Sequence, residues 1–289
     1  MTPTTTKNSI WSDLPRRIAT ICIGFPIIWK ILSNEKLALI FFVCVHGLVG
    51  WEFSFLEPKQ DKPETLPTMN SKLSFCIMSL SVAMVPVDSL FQMVLCATVG
   101  VLTWLERRHW ILGLVLITIP FRTWYSISQD FASTISILLV VWNCDSGALL
   151  VGRLASKIGM PRIPVPRWIH KISPAKSMEG FIGGLAGGTW TAVSWIPRLV
   201  SWFEIDTNES FDVLWSTSLS QRFALGLAMS LMAIFGDLVE SSIKRQSQRK
   251  DSGSILPGHG GILDRFDSSL FAVLLYSFLM DMVQSSSKD

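Results

Sequence analysis

The 289-residue sequence predicts an all-α integral membrane protein, a bundle of about nine transmembrane helices. Three observations carry that expectation. Hydrophobic residues make up 49% of the chain and charged residues only 16%, whereas a soluble domain carries about 25% charge. Apolar runs recur along the whole length, separated by polar connections. Lipid offers no partner to a peptide group, so a run that crosses a bilayer must satisfy its own backbone as a helix.

In chain order the runs are 18–33, 37–53, 73–87, 90–105, 110–125, 132–152, 180–199, 219–240 and 268–283. The third and fifth are shorter than the ~20 residues that span a hydrocarbon core comfortably. Residues 1–17 form a polar tail ending in Arg16 and Arg17. The first run contains Lys30 and no clear small-x-small cleavage site, which predicts a retained helix and not a signal peptide. Residues 18–131 then supply the N-terminal helices, and 132–289 hold the segments able to do chemistry. The longest connections are 57–72, 153–179 and 241–267. Lys and Arg concentrate in the N-terminal tail and in the connections after even-numbered runs, which places that face in the cytoplasm. Cys22, Cys44, Cys76, Cys96 and Cys144 lack CxxC spacing and read as isolated thiols. The Trp residues read as interfacial anchors or core. A net charge of +3 is no nucleic-acid footprint, and no nucleic acid is expected as a partner.

The run 219–240 closes on Gly236-Asp237-Leu238-Val239-Glu240-Ser241 and continues to Lys244-Arg245. On a helix, Asp237, Glu240, Ser241 and Lys244 share one face. Carboxylates at the end of a membrane helix point to function; an ordinary helix end with Glu240 and Lys244 paired at i,i+4 is the structural alternative. Arg249, Lys250 and Asp251 follow, then Leu256 to Gly261, with His259, Gly260 and Gly261. Glycine backbone can approach a phosphate closely, and Lys or Arg can neutralise one. Asp264 and Asp267 lie three apart, so a helix would present both on one side, in a form that suits Mg2+. Asp145 is an ionisable group within or beside an apolar run, which again points to a site. Lys176 and Glu179 precede a helix with Gly180, Gly183, Gly184, Gly187 and Gly188, a pattern that serves close helix packing. His46, His109 and His170 have no partner spacing and read as structural.

Ser241-x-Ile243-Lys244-Arg245, Lys250-Asp251-x-Gly253 and Leu256-Pro257-x-His259-Gly260-Gly261-Ile262-x-Asp264-Arg265-Phe266-Asp267 together resemble the signature of the phosphatidate cytidylyltransferases, the CDP-diacylglycerol synthases. Asp145-Ser146-Gly147-Ala148-Leu149 and Ser173-Pro174-Ala175-Lys176-Ser177-Met178-Glu179-Gly180 are similar to two further family segments. Leu149 stands for an aromatic, Ala175 for a lysine, and Ser146 and Ser177 for threonines. Residues 1–140 match in hydropathy alone, plus Glu52 near the end of the second run.

The resemblance implies cytidylyl transfer from CTP to phosphatidic acid at the bilayer surface, with Mg2+, room for a second cation, and a homodimer. It implies metal binding by Asp237 and Asp264, with Asp267 in the same cluster. Lys244, Arg245, Lys250 and Arg265 would hold phosphates. Asp145, Lys176 and Glu179 would complete the pocket, with Ser241, His259, Gly260 and Gly261 against substrate. Three alternatives stay in view. A CTP-dependent lipid kinase would release CDP, but the long match around His259 weighs against it. A transporter would show related halves and broken helices. Leu149 and Ala175 keep an inactive relative open.

Overall fold

The computed structural model describes residues 24–56, 69–84, 112–161, 163–215, 218–253, 255 and 260–286. The run 90–105 and the residues His109 and His259 lie outside them. All regular elements among the described residues are helices. Helix α1 covers 24–32, α2 Glu35–Phe53 and α3 Met69–Met84. A wide π-helical turn, Leu114–Thr118, leads into α4, Ile119–Ile127. Then come α5 Phe131–Lys157, α6 Arg167–Ile172 and α7 Met178–Trp190. A second π turn, Thr191–Trp195, joins α7 to α8, Ile196–Trp202. Helices α9 Glu209–Trp215, α10 Leu219–Gln246 and α11 Leu263–Ser286 complete the chain.

Local chemistry sets the starts. Asn34, Asp130, Ser177 and Ser218 each sit in extended backbone and accept an N–H of the first turn of α2, α5, α7 and α10. Both π turns precede a proline, Pro120 or Pro197, in the first turn of the next helix. A proline ring clashes with the carbonyl four residues back; widening the preceding turn moves that carbonyl aside. The apolar run 180–199 is therefore one helical rod from Met178 to Trp202 with a widened turn inside it.

Four helices are long and apolar enough to cross a membrane: α2, α5, α10 and Leu263–Ser285 of α11. That is the part of the expected nine-helix bundle that length and composition carry among the described residues. The short helices α6 and α9 lie in connections where the sequence pattern gave no periodic signal.

Glycines let α5 and α7 meet backbone to backbone. A Cβ at Gly187 would lie 2.5 Å from the carbonyl oxygen of Asn143, and one at Gly184 would lie 3.1 Å from that of Cys144. Gly147 and Gly183 face each other across the same seam. This is the close packing expected of the glycine series. Gly188 lies against both Ser230 of α10 and the Val140 carbonyl of α5. Gly236 of α10 then lies against the Asp267 carbonyl of α11, 2.5 Å from where its Cβ would be. The order α5, α7, α10, α11 is thus a set of near contacts, and it carries the motif segments.

Polar ties fix the rest. His46 of α2 is fully buried, with Nδ1 bonded to the Tyr125 hydroxyl at 2.6 Å and Nε2 to the Ser79 hydroxyl at 2.7 Å. It is a satisfied core histidine joining α2, α3 and α4, as its isolation in sequence suggests. Tyr276 of α11 meets Ser133 of α5 at 2.8 Å and accepts from Trp215 Nε1 at 3.0 Å. Trp124 and Trp215 are core, while Trp168, Trp190 and Trp202 are exposed. Cys44, Cys76 and Cys144 are free thiols.

A Gly187→Val substitution must push α5 and α7 apart. The expected cost is about 1–3 kcal/mol, seen as a lower thermal midpoint of the detergent-solubilised protein. Gly24→Ala, where a Cβ meets nothing within 4 Å, should leave the midpoint unchanged.

Candidate active site

The α-helical spacing of α10 sets Asp237, Glu240, Ser241 and Lys244 along one face, and their bonds follow from it. Ser241 Oγ donates to Asp237 Oδ1 at 3.2 Å. Lys244 Nζ pairs with Glu240 Oε2 at 2.5 Å, the i,i+4 contact its spacing predicts. The same ammonium reaches Asp264 Oδ1 of α11 at 2.6 Å. Lys244 is only 8% exposed, so two carboxylates replace the water it has lost.

Asp264 also organises the segment before α11. Its Oδ2 accepts the Gly261 N–H at 2.8 Å, and its two oxygens share the Ser252 N–H at 3.2 and 3.1 Å. A first-turn carboxylate reaching back three residues satisfies one of the orphan donors at a helix start. Gly260 has φ +83, in the left-handed region that favours glycine.

Two distant segments meet at Asp237. Lys176, immediately before the Ser177 cap of α7, pairs with Asp237 Oδ2 at 2.6 Å. From α5, Asp145 Oδ1 accepts the Ser268 hydroxyl at 3.3 Å. Asp267 is buried, accepts the Ser268 N–H at 2.6 Å, and lies within electrostatic range of Asp237, Glu240 and Asp145. Five carboxylates from three helices are thereby gathered around Lys176 and Lys244.

Other expected site residues have local duties. Glu179 is buried and accepts the Ile163 N–H at 2.7 Å, closing the connection before α6 onto α7. Arg245 donates from Nε to the Ile172 carbonyl at 2.8 Å and from a terminal nitrogen to the Arg249 carbonyl at 3.0 Å. It ties α10 to the end of α6. Lys250 and Arg265 are exposed.

Hard oxygen donors are abundant, as Mg2+ would require. Yet among the described residues no three His, Cys, Asp or Glu side chains are arranged to hold a metal ion. Asp237 directs its oxygens to Ser241 and Lys176, and Asp264 directs its own to Lys244 and two amides. The trio Asp237, Asp264 and Asp267 does not converge on one point, because each carboxylate already has a different set of donors.

The sequence reading missed the depth of Glu52, which is 2% exposed at the end of α2. Its Oε1 accepts the Ile262 N–H at 3.0 Å, and its Oε2 accepts the Leu263 N–H at 2.8 Å and the Ser252 hydroxyl at 3.1 Å. The signal was a lone acid closing an apolar run. Beside this corner, a small apolar cleft has Phe53, Ile117, Val239 and Phe271 in its walls. Glu240 and Asp267 also line it.

Fold and site together define a helical membrane protein with a dense acid–lysine cluster where α5, α10, α11 and the start of α7 meet. The chain belongs to the Cytidylyltransferase family, whose sequence model matches residues 15–283. It is 31% identical over 281 residues to a phosphatidate cytidylyltransferase of Staphylococcus aureus strain COL, covering 91% of this chain and 98% of that one. A phosphatidate cytidylyltransferase of Staphylococcus haemolyticus is 37% identical over 183 residues, 62% of this chain and 60% of its own. One from Staphylococcus epidermidis is 31% identical over 281 residues, with the same 91% and 98% coverage.

Lys244→Met would leave Glu240 and Asp264 facing each other with no cation between them. Breaking a buried pair from one side costs about 3–5 kcal/mol. Thermal unfolding in detergent should register that loss, and Lys244→Arg should recover part of it.

Proposed function

We propose that this chain transfers the cytidylyl group of CTP to phosphatidic acid, giving CDP-diacylglycerol and pyrophosphate. The observation that carries the reading is the pairing of two lysines, Lys176 and Lys244, with Asp237 and Asp264 at one corner. Lys176, Lys244 and Asp264 come from the segments whose motifs resemble the family's, and the full-length relatives carry the same activity in their names.

In the transfer, a phosphate oxygen of the lipid attacks the α-phosphorus of CTP. A new P–O–P bond forms, the bond between the α-phosphorus and the bridging oxygen breaks, and pyrophosphate leaves with the electron pair. Charge must be held and spread throughout. Lys176 and Lys244 are held in position by carboxylates, and each would share or exchange that partner to meet a phosphate. Lys250 and Arg265, both exposed, would guide and hold the polyphosphate. Arg245 would do so only by releasing backbone carbonyls. Glu179 would act by fixing the connection next to Lys176, and Ser241 by orienting Asp237. His259, Gly260 and Gly261 would border the nucleotide.

Mg2+ as cofactor rests on the family resemblance: Asp237, with Asp267 in the same cluster, would have to turn from its present partners Ser241 and Lys176 to hold it. Bound there, it would offset phosphate charge. Asp264 would join as a third donor only by yielding part of its contact with Lys244; a second cation has the same acids to draw on. We further read 132–289 as the catalytic region and 18–131 as its support, with the basic connections on the cytoplasmic face. A homodimer follows from the family resemblance.

Purified protein given CTP, phosphatidic acid and Mg2+ should release pyrophosphate and form CDP-diacylglycerol; release of CDP instead would indicate a kinase. Asp264→Asn should remove turnover while leaving the protein in the membrane fraction, and an active variant would sink its assigned role.

A further inference from the structure

We propose that Glu52 is a positioning residue for cytidylyl transfer: it holds Ser252 and the start of α11 so that Asp264 faces Lys244. The proposal rests on the transferase reading and adds a residue from the supporting half of the chain to its machinery.

The first N–H groups of a helix have no partner within it, and they favour an anion. At α11 the anion is supplied by the protein. Glu52 takes the Ile262 and Leu263 amides from one side, while Asp264 takes the Gly261 amide from within the helix. Ser252 joins the two carboxylates, giving its hydroxyl to Glu52 and its amide to Asp264. The bonds thus run Glu52, Ser252, Asp264, Lys244. Glu52 itself touches neither lysine of the site, so it acts through these intermediaries.

The surrounding backbone is shaped to the carboxylate. A Cβ at Gly253 would collide with the Glu52 carboxylate, and so would one at Gly261. All three groups facing Glu52 in its bonds are donors. A glutamine would turn one of its two acceptors into an N–H₂ group facing a donor, and an aspartate would fall short by one methylene. The chemistry at this point requires glutamate.

A mere anchor and a positioning residue differ in what they disturb. Loss of an anchor lowers the folded fraction; loss of positioning slows the reacting geometry in protein that remains folded. The test uses full-length wild type, Glu52→Gln, Ser252→Ala and the double variant, purified alike. It measures thermal midpoint, KM for CTP, and kcat by pyrophosphate release. Glu52→Gln should lower kcat on the order of 100-fold, with KM for CTP and the folded fraction little changed. The double variant should be no slower than Glu52→Gln alone, because both substitutions cut the same chain of bonds. Where Glu52→Gln fails to fold, Ser252→Ala decides: a lower kcat at unchanged KM supports the proposal, and an unchanged kcat overturns it. An active Glu52→Gln, a kcat loss matched by lost folded protein, or multiplied losses in the double variant each overturn it too. Wild type that releases no pyrophosphate would defeat the transferase reading and the proposal together; an active wild type beside an active Glu52→Gln defeats the proposal alone.

Discussion

The site depends on one buried ammonium. Lys244 sits between Glu240 on its own helix and Asp264 on the next, and it has almost no water to fall back on. A lysine in that position is tolerable only with its carboxylates in place. That requirement fixes the end of α10 against the start of α11. It also fixes Asp264, whose remaining capacity then goes to the Ser252 and Gly261 amides. From one desolvated charge follow the register of two helices and the path of the backbone between them.

Such an arrangement needs helices closer than ordinary side chains allow. The seam of α5 and α7 meets that need with glycine facing glycine. α5 has 27 residues, and at 1.5 Å per residue Asp145 lies ~21 Å from its start, well along a membrane crossing. A carboxylate at that depth is expensive unless protein groups surround it. Close packing brings Ser268 to Asp145, and the cap at Ser177 brings Lys176 to Asp237. Packing density and site chemistry are the same constraint seen from two sides.

Local features were legible in the sequence. Helical spacing foretold the shared face of α10 and the Glu240–Lys244 pair, and the glycine series foretold a tight seam. The three motif segments lie together, Lys176 against Asp237 and Asp145 against Ser268. What the sequence could not show were partners chosen across long separations. Spacing puts Asp264 and Asp267 on one helix, but it does not say that Lys244 and two amides claim the first while burial among other acids claims the second. Glu52 is more than 190 residues from every group it binds, so no periodic pattern could have joined them. The widened turns before Pro120 and Pro197 likewise depend on neighbouring backbone, and hydropathy alone reads straight through them.

The charge balance of the site bears on how it would receive substrate. Asp145, Asp237, Glu240, Asp264 and Asp267 outnumber Lys176 and Lys244 at the corner, and both lysines are already paired. A polyphosphate would approach past the exposed Lys250 and Arg265. The acids have a clear structural role. They hold the lysines in place. A site with fewer acids would leave its lysines without a fixed position.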